Sequence, residues 1–320
     1  MFQLTCVSHG PALATPLPEP CEHAAVQAAY AARAAALEAF EPELIVIFAP
    51  DHYTDIHLEL VPPFCIGLRC EAVADYGGFP GLLNVPGELA LQCVKWLRDH
   101  DVDIAASHSM QVDHGFSQPL QRVGGGVDRY PVLPICINTT CNPLSPFRRI
   151  RLLGEGVGAF ARKLGKRVAF LASGGLSHHP ANIFPQDLAG APQGVQEYLM
   201  FGGRNGGMQV SDWHRHLGEQ TIRGGRDVVE GRRNAADFRI NRTWDRRFLD
   251  ALVGSDCAVF DAWDPVEIVR DAGVAAMEIQ QWIAAASAAR TAGVRPIEVD
   301  LHVTTVEYRL SVAVAHADPL

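Results

Sequence analysis

The sequence predicts an α/β protein with a mixed central sheet flanked by helices, in a single large domain. Short apolar runs bounded by turn residues alternate with longer segments whose apolar residues recur every three or four positions. A chain of 320 residues with 48% hydrophobic content is long enough to bury a large core. Histidine-bearing turns follow several of the apolar runs, as expected of a site at the edge of an α/β sheet.

The periodicity of apolar residues places the elements along the chain. We expect strands at 4–8, 44–49, 104–107, 132–137 and 167–172, with a late strand within 303–315. We expect helices at 23–40, 86–98, 149–164 and 274–289. Because the strands alternate with helices, the sheet should be at least partly parallel.

Residues 181–244 differ in composition, and we expect them to form a helical or loop insertion within a domain that spans 1–320. A glycine-rich stretch at 202–207 is followed by many arginines. A solvated surface is the simplest interpretation. A lid, an oligomer contact and a substrate-facing insertion are the alternatives. The arginines are Arg223, Arg226, Arg232, Arg233, Arg239 and Arg242.

Charge and cysteine content argue against several classes of protein. A net charge of −9 disfavours general binding to nucleic acid or to anionic membranes. No apolar run approaches the roughly 20 residues that span a bilayer, and residues 1–9 lack the basic flank and long apolar stretch of a signal peptide. The eight cysteines include no Cys-x-x-Cys pair. We therefore expect reduced thiols and a cytoplasmic protein.

Four segments carry histidines at or near the ends of apolar runs. Strand ends in α/β proteins converge on one edge of the sheet, where such folds place their chemistry. Imidazole is a good ligand for a borderline metal ion, so the pattern predicts a metal site with acid–base residues beside it. The segments are 8–11 (Ser-His-Gly-Pro), 50–53 (Pro-Asp-His-Tyr), 112–116 (Val-Asp-His-Gly-Phe) and 173–180 (Ser-Gly-Gly-Leu-Ser-His-His-Pro).

Glu278 is the candidate carboxylate for this site, because it lies on the apolar stripe of the predicted helix 274–289. A buried carboxylate needs a cation, a metal or a proton. Pairing with an arginine, or contact with water at the edge of the stripe, are the alternatives. With His9 and His52 it would complete the two-histidine, one-carboxylate set of non-haem Fe(II) sites, which leaves positions open for substrate and dioxygen.

His114 and His178 are candidates for proton transfer. Asp113 is placed to orient the ring of His114, and Gly115 lets a ligand approach the backbone. His178 follows a glycine-rich turn that opens space, and a neutral histidine near pH 7 is a natural general base. Of the adjacent pair His178 and His179 we expect one to face the site. A backbone hydrogen bond at a helix N-terminus is the alternative role for either.

These segments resemble the class III extradiol ring-cleavage dioxygenases. The likeness is dense from the N-terminus to about residue 180, thins through the arginine-rich stretch and returns near Glu278. The histidine motifs are specific as a set, whereas each alone is not. The matching segments are 50–53, 61–65, 110–116, 131–135, 173–178 and 278–283.

The resemblance implies an enzyme that holds Fe(2+) through His9, His52 and Glu278, with His178 as proton acceptor and His114 as proton donor. The implied reaction uses O2 to cleave the ring of a 3-substituted catechol beside its diol, in the breakdown of aromatic compounds. The likeness favours 2,3-dihydroxyphenylpropionate or dihydroxycinnamate, which give a ring-opened 2-hydroxy-6-oxo-dienoate. The expected partners are the catechol, O2 and further copies of the chain in a homo-oligomer.

Two features depart from the pattern of the family. The second histidine, His179, alters the polarity near the site, and residues 303–309 do not match, which bears on the side chain of the substrate. A propionate carboxylate requires a cation; the arginine-rich segment could supply it, but the sequence does not indicate which arginine. The alternative functions are cleavage of a different catechol, metal or ligand binding without turnover, and zinc-dependent hydrolysis.

Overall fold

A computed structural model describes residues 1–14, 18–180, 190–254 and 256–320 of the protein. These residues form eleven strands in two sheets. The larger sheet has the spatial order β10-β11-β1-β9-β2-β8-β3-β6, and the smaller sheet has the order β5-β4-β7. The sheet is mixed, as the sequence predicts. The strands are β1 (Phe2–Val7), β2 (Leu44–Ala49), β3 (Phe64–Gly67), β4 (Cys70–Ala72), β5 (Gly81–Leu82), β6 (Ala105–Ser107), β7 (Met110–Val112), β8 (Val132–Ile137), β9 (Val168–Ser173), β10 (Glu298–Thr305) and β11 (Leu310–Ala317).

The centre of the large sheet is parallel. Strand β1 pairs with β9, β9 with β2 and β2 with β8, all in the same direction. Every residue of β2, β8 and β9 is buried, because helices cover both faces of the sheet. Strands buried on both faces read as continuous apolar runs, which is why the sequence predicted them. Their carboxyl ends lie at one edge.

The prediction of a single late strand within 303–315 is wrong. Strands β10 and β11 form an antiparallel hairpin, and in its turn the Arg309 N–H donates to the Val306 carbonyl at 2.9 Å. Seven of the eight residues of β10 are exposed or half-buried, so this strand lacks an apolar run. The sequence also missed β3 and the small sheet, whose strands are only two to four residues long.

Helices cover both faces of the large sheet in the described ranges. Residues of α3, α5, α8 and α10 pack in one hydrophobic cluster, and those of α2 and α4 pack in another. The helix expected at 274–289 begins as a 3-10 turn over Val274–Glu278 before α10. The α-helices are α1 (Pro11–Ala14), α2 (His23–Phe40), α3 (Gly87–Arg98), α4 (His114–Arg122), α5 (Phe147–Lys163), α6 (Gln193–Phe201), α7 (Val210–Val229), α8 (Arg242–Val253), α9 (Pro265–Ala272) and α10 (Ile279–Ala292).

Two glycines bring helix α5 into backbone contact with α10. A Cβ atom added at Gly154 would lie 2.2 Å from the carbonyl oxygen of Ala284, and one added at Gly158 would lie 2.3 Å from that of Ala288. Neither distance leaves room for a side chain. Gly154 and Gly158 therefore allow the close packing of α5 against α10.

Helix α7 is tied to the end of β2 through an aromatic cluster. Trp213 of α7 stacks on Tyr198 of α6 with ring centroids 5.1 Å apart, and Tyr53 meets Trp213 edge-on at 6.2 Å. The indole Nε1–H of Trp213 donates to the backbone carbonyl of His52 at 2.9 Å. This contact holds α7 against the loop that carries His52.

The predicted insertion at 181–244 includes residues 181–189, which lie outside the described part of the chain, and it stays a prediction. Residues 190–244 contribute α6, α7 and the start of α8. The expectation of a solvated arginine surface fits most of the six arginines. Four are exposed and two are half-buried: Arg223, Arg226, Arg232 and Arg242 in the first group, and Arg233 and Arg239 in the second.

The described ranges contain no helix with the length and apolar character that crossing a membrane requires. All eight cysteines are free, and all but Cys21 are buried. This agrees with the expectation of reduced thiols that act as small apolar side chains.

Candidate metal centre and active site

The ends of the parallel strands bring the predicted site residues into one cavity. His9 lies two residues beyond β1 and His52 three residues beyond β2, while His114 is the first residue of α4. His178 follows β9 by five residues, and Glu278 closes the 3-10 turn before α10. All five side chains line the same cavity. The sequence predicted from the strand ends that the histidines would converge, whereas Glu278 was expected from its place on an apolar helix stripe and from the family resemblance.

The ring of His9 is oriented by Ser173, the last residue of β9. The Ser173 hydroxyl donates its proton to the backbone carbonyl of Gly115. It must therefore accept from His9, whose Nδ1 lies 2.8 Å away. The proton of the neutral ring is on Nδ1, and Nε2 is left with a lone pair facing the cavity. Burial lowers the pKa of His9 to about 3, so the ring is neutral at pH 7.

The ring of His52 is oriented by Asp113, which corrects the expectation that Asp113 orients His114. One Asp113 oxygen lies 3.1 Å from His52 Nδ1, and the other accepts the backbone N–H of His52 at 2.7 Å. The second ring nitrogen, Nε2, lies 3.4 Å from Glu278. Despite burial, which lowers it, the two carboxylates raise the pKa of His52 well above its usual value. The ring holds a proton that a cation can replace.

The ring of His114 is oriented by Asp75, a residue that sequence reasoning missed. A short contact joins His114 Nδ1 to Asp75 Oδ2, and both side chains are buried. Asp75 precedes His114 by 39 positions and lies in a loop after β4. No pattern in the sequence marks this aspartate, because only the folding of β4 beside β7 brings it to α4.

Glu278 is a buried, ionised carboxylate between two histidines. Its Oε2 accepts the backbone N–H of Gly175 at 2.6 Å and lies 3.7 Å from His9 Nε2. Burial alone raises the pKa of Glu278, but attraction to His9 and the hydrogen bond with His52 outweigh burial and hold the pKa at about 2. Among its described partners there is no lysine or arginine. The predicted alternative of an arginine partner is therefore wrong in the described part of the chain.

His178 presents an accepting nitrogen to the cavity. Its Nδ1 lies 2.9 Å from the carbonyl of Leu176, and a carbonyl only accepts, so Nδ1 carries the proton of the neutral ring and Nε2 does not. The two glycines before it leave room for groups that pack closely against them. A Cβ at Gly175 would lie 2.5 Å from the His178 ring, and one at Gly174 would lie 2.6 Å from the Glu278 carbonyl.

His179 does not belong to the cavity-lining residues. Its Nδ1 accepts the backbone N–H of Val274 at 3.3 Å, at the start of the 3-10 turn that ends in Glu278. Burial lowers the pKa of His179 to about 4. Both histidines bond the backbone, but of the two only His178 lines the cavity.

Three histidines and one carboxylate in this cavity are candidate ligands of a metal ion. His9, His52 and His114 each offer one nitrogen, and these nitrogens all lie within 4.8 Å of one another. The rings of His52 and His114 stack with centroids 4.5 Å apart. Glu278 lies 3.4 Å from His52 Nε2 and 3.7 Å from His9 Nε2, and it is not a member of that three-histidine cluster. The donors are soft enough for a borderline divalent ion, and the carboxylate supplies a negative charge.

The outer wall of the cavity comes from helix α7 and from the β10–β11 turn. Apolar and neutral side chains of α7 face the site, and two arginines approach it from outside α7. The lining residues beyond the five site residues include Leu217, Gln220, Thr221, Arg233, Phe238, Tyr308, Arg309 and Leu310.

Comparison with known proteins agrees with this geometry. Residues 3–314 match the family model of the catalytic LigB subunit of aromatic ring-opening dioxygenase. Three relatives carry the name 2,3-dihydroxyphenylpropionate/2,3-dihydroxicinnamic acid 1,2-dioxygenase. That of Xanthobacter autotrophicus is 42% identical over 90% of this chain and 89% of its own length. That of Azotobacter vinelandii is 42% identical over 91% of both. That of Cupriavidus necator is 37% identical over 99% of this chain and 98% of its own.

A solved structure of an uncharacterized protein from Escherichia coli K12 shares the fold, with a TM-score of 0.53, 12% identity and 99% coverage of both chains. At that identity the likeness concerns the fold alone. The family model and the relatives, by contrast, cover nearly the whole chain. The chain therefore belongs to the family of the catalytic LigB subunit of aromatic ring-opening dioxygenases.

Proposed function

We propose that this protein is an Fe(2+)-dependent extradiol dioxygenase that opens the ring of a 3-substituted catechol with O2. One observation carries the proposal: four histidines and a glutamate, each from a different part of the chain, meet in one cavity of a chain of this family. The names of its relatives favour 2,3-dihydroxyphenylpropionate or dihydroxycinnamate as substrate. The product would be a 2-hydroxy-6-oxo-dienoate.

We assign His9, His52 and Glu278 as the metal ligands. His9 is neutral with Nε2 open, and Glu278 is ionised without a described arginine or lysine beside it. These are the protonation states that bind a divalent cation. The set has the composition of the non-haem Fe(II) facial triad. When bound there, the ion would bring the catechol oxygens and O2 together and let electron density pass between them.

We assign His178 and His114 to proton transfer. The Nδ1–H of His178 donates a hydrogen bond to the Leu176 carbonyl, which leaves Nε2 as an acceptor toward the cavity. An accepting nitrogen there suits removal of a proton from a catechol hydroxyl. The Nδ1 of His114 is held by a buried carboxylate, Asp75, which fixes the direction of the ring and leaves Nε2 as the nitrogen that would pass a proton to the substrate. Ring opening needs both transfers, one on the diol and one on the cleaved dioxygen.

The test is anaerobic purification and reconstitution with Fe(2+), then mixing with 2,3-dihydroxyphenylpropionate and oxygen. We expect a yellow ring-opened product and consumption of one O2 per catechol. No coloured product with any of several substituted catechols would contradict the proposal. Stoichiometric zinc together with hydrolytic turnover would instead support the zinc hydrolase, which the same ligands permit.

A homo-oligomer in the cytoplasm remains part of the proposal. The free thiols of all eight cysteines suit a reducing compartment. Light scattering behind a sizing column measures the subunit number, and a mass of a single chain would contradict the oligomer.

A further inference from the structure

Two arginines, Arg233 and Arg309, line the cavity that holds the histidines. Given the proposed function, on which this step rests, we propose that Arg309 binds the side-chain carboxylate of the substrate and selects catechols that carry one. Arg233 lines the same cavity and adds a second positive charge.

The position of Arg309 in the cavity wall is fixed by the packing of the next residue, Leu310. The next residue, Leu310, begins β11, and its side chain lies 2.9 Å from the point where a Cβ on Gly10 would be. Gly10 directly follows His9. The turn that carries Arg309 is therefore packed against the loop that carries a metal-ligand candidate, and a small substrate can reach both.

Helix α7 leaves space for the Arg309 side chain. A Cβ added at Gly224 would lie 3.1 Å from Arg309 Cδ and 4.0 Å from Phe238 Cε1. Glycine in a helix interior is destabilising relative to alanine. Here the glycine leaves room for the Arg309 side chain, so the cost has a structural reason.

The charge of this end of the cavity is positive. The guanidinium carbon of Arg233 sits 4.0 Å from the centroid of the Phe238 ring, and Phe238 and Arg309 both lie beside Gly224. Among the described residues that line the cavity, Glu278 is the only acidic one, and it is taken up by His9 and His52. A carboxylate entering this end meets two cations and no described acidic side chain.

Arg309 is held in place before substrate arrives. Its Nη1 donates to the Glu307 carbonyl at 2.9 Å, and its backbone has φ of +59°, a left-handed conformation that is unusual for a non-glycine residue. Burial lowers the pKa of Arg309 to about 10, so the side chain remains charged at pH 7. A charged, oriented guanidinium matches the two oxygens of a carboxylate.

The kinetic test compares two catechols, 2,3-dihydroxyphenylpropionate and 3-propylcatechol, which differ by the carboxylate. In Arg309→Gln we expect kcat/KM for the acid to fall about 10- to 100-fold, as for loss of a charge-assisted hydrogen bond, mainly through KM. Turnover of 3-propylcatechol should be unchanged. Arg223→Gln, which removes an exposed charge from α7, is the matched control and should leave both substrates unaffected. Equal losses with both substrates, or no loss with the acid, would overturn the assignment.

A binding test separates this inference from the proposed function, because it needs no metal and no turnover. By calorimetry the metal-free wild-type protein should bind 3-phenylpropionate about tenfold or more tightly than 3-phenylpropan-1-ol, and Arg309→Gln should lose that preference. Equal affinity of the wild type for acid and alcohol would overturn the role of Arg309, even if the enzyme cleaves catechols. Arg309→Lys keeps the charge and should retain part of the preference, so it replaces Arg309→Gln if circular dichroism shows that variant to be unfolded.

Discussion

At the scale of single residues, each site histidine is given its chemical role by the partner of its Nδ1. Ser173 and Asp113 turn Nε2 of His9 and His52 toward the cavity. A carbonyl does the same for His178, and Asp75 holds His114. Second partners of this kind fix the tautomer and the direction of a metal-binding or catalytic ring.

The first prediction at this scale concerns Glu278, the proposed third metal ligand. Glu278→Ala should weaken Fe(2+) binding by more than the roughly 10- to 100-fold typical of changes to outer partners, because it removes the only carboxylate among the described cavity residues. His114→Ala should keep its iron. Metal analysis after anaerobic gel filtration measures both. The reverse result would make His114 the ligand, as its distance to His9 and His52 allows.

The second prediction separates the adjacent histidines. His178→Ala should retain Fe(2+) and lose about 100- to 10,000-fold in kcat, the usual effect of removing a general base. His179→Ala is the control, since His179 lies outside the cavity and bonds the backbone of Val274. Steady-state turnover and metal content are measured for both. Equal losses of turnover in the two variants would remove His178 from proton transfer.

At the scale of elements, the crossing of α5 and α10 sets the position of Glu278, a proposed metal ligand. Glu278 immediately precedes α10, so the position of that helix sets the position of the carboxylate. Gly154 and Gly158 let the helices approach to backbone contact. An overpacked crossing would move α10 and with it Glu278.

The prediction for this element compares two glycines of α5. Gly154→Ala should destabilise the fold by about 1–3 kcal/mol or more, because its methyl group meets a backbone carbonyl that cannot rotate away. Gly156→Ala meets only the end of the flexible Leu97 side chain and should gain up to about 1 kcal/mol of helix propensity. Urea denaturation measures both free energies of unfolding, and equal values would contradict the packing role.

At the scale of the whole molecule, the proposed ligands come from the loops after β1 and β2 and from the 3-10 turn before α10, which are far apart in sequence. A metal ion bound to all three would connect two residues in the first part of the chain with Glu278 in its last part. Because the unfolded chain does not assemble this set, metal binding stabilises the folded state by mass action.

The corresponding prediction is a metal-dependent melting temperature. Fe(2+) at about 100 times its Kd should add about 2.7 kcal/mol, which for a chain of this length corresponds to about 4 °C in Tm. Anaerobic calorimetry measures the shift. Glu278→Ala should show little of it, and an equal shift in that variant would mean that the ion binds elsewhere.

The sequence by itself determined the fold class and which side of the sheet carries chemistry. Strands β2, β8 and β9 are buried on both faces, so their apolar runs are plain in the sequence. Parallel strands share one carboxyl edge, so His9, His52 and His178 had to converge. The hairpin strand β10 was missed because it is half-exposed, and short β4 and β7 left no periodic signal.

Only the tertiary structure decided which partner each site residue has. Asp75 reaches His114, Asp113 reaches His52 instead of its neighbour, and Arg309 reaches the cavity from the far end of the chain. These contacts join residues that are distant in sequence, or they depend on which way a side chain turns at a loop. Local periodicity reports which face of an element is buried, and it contains no information on what that face meets.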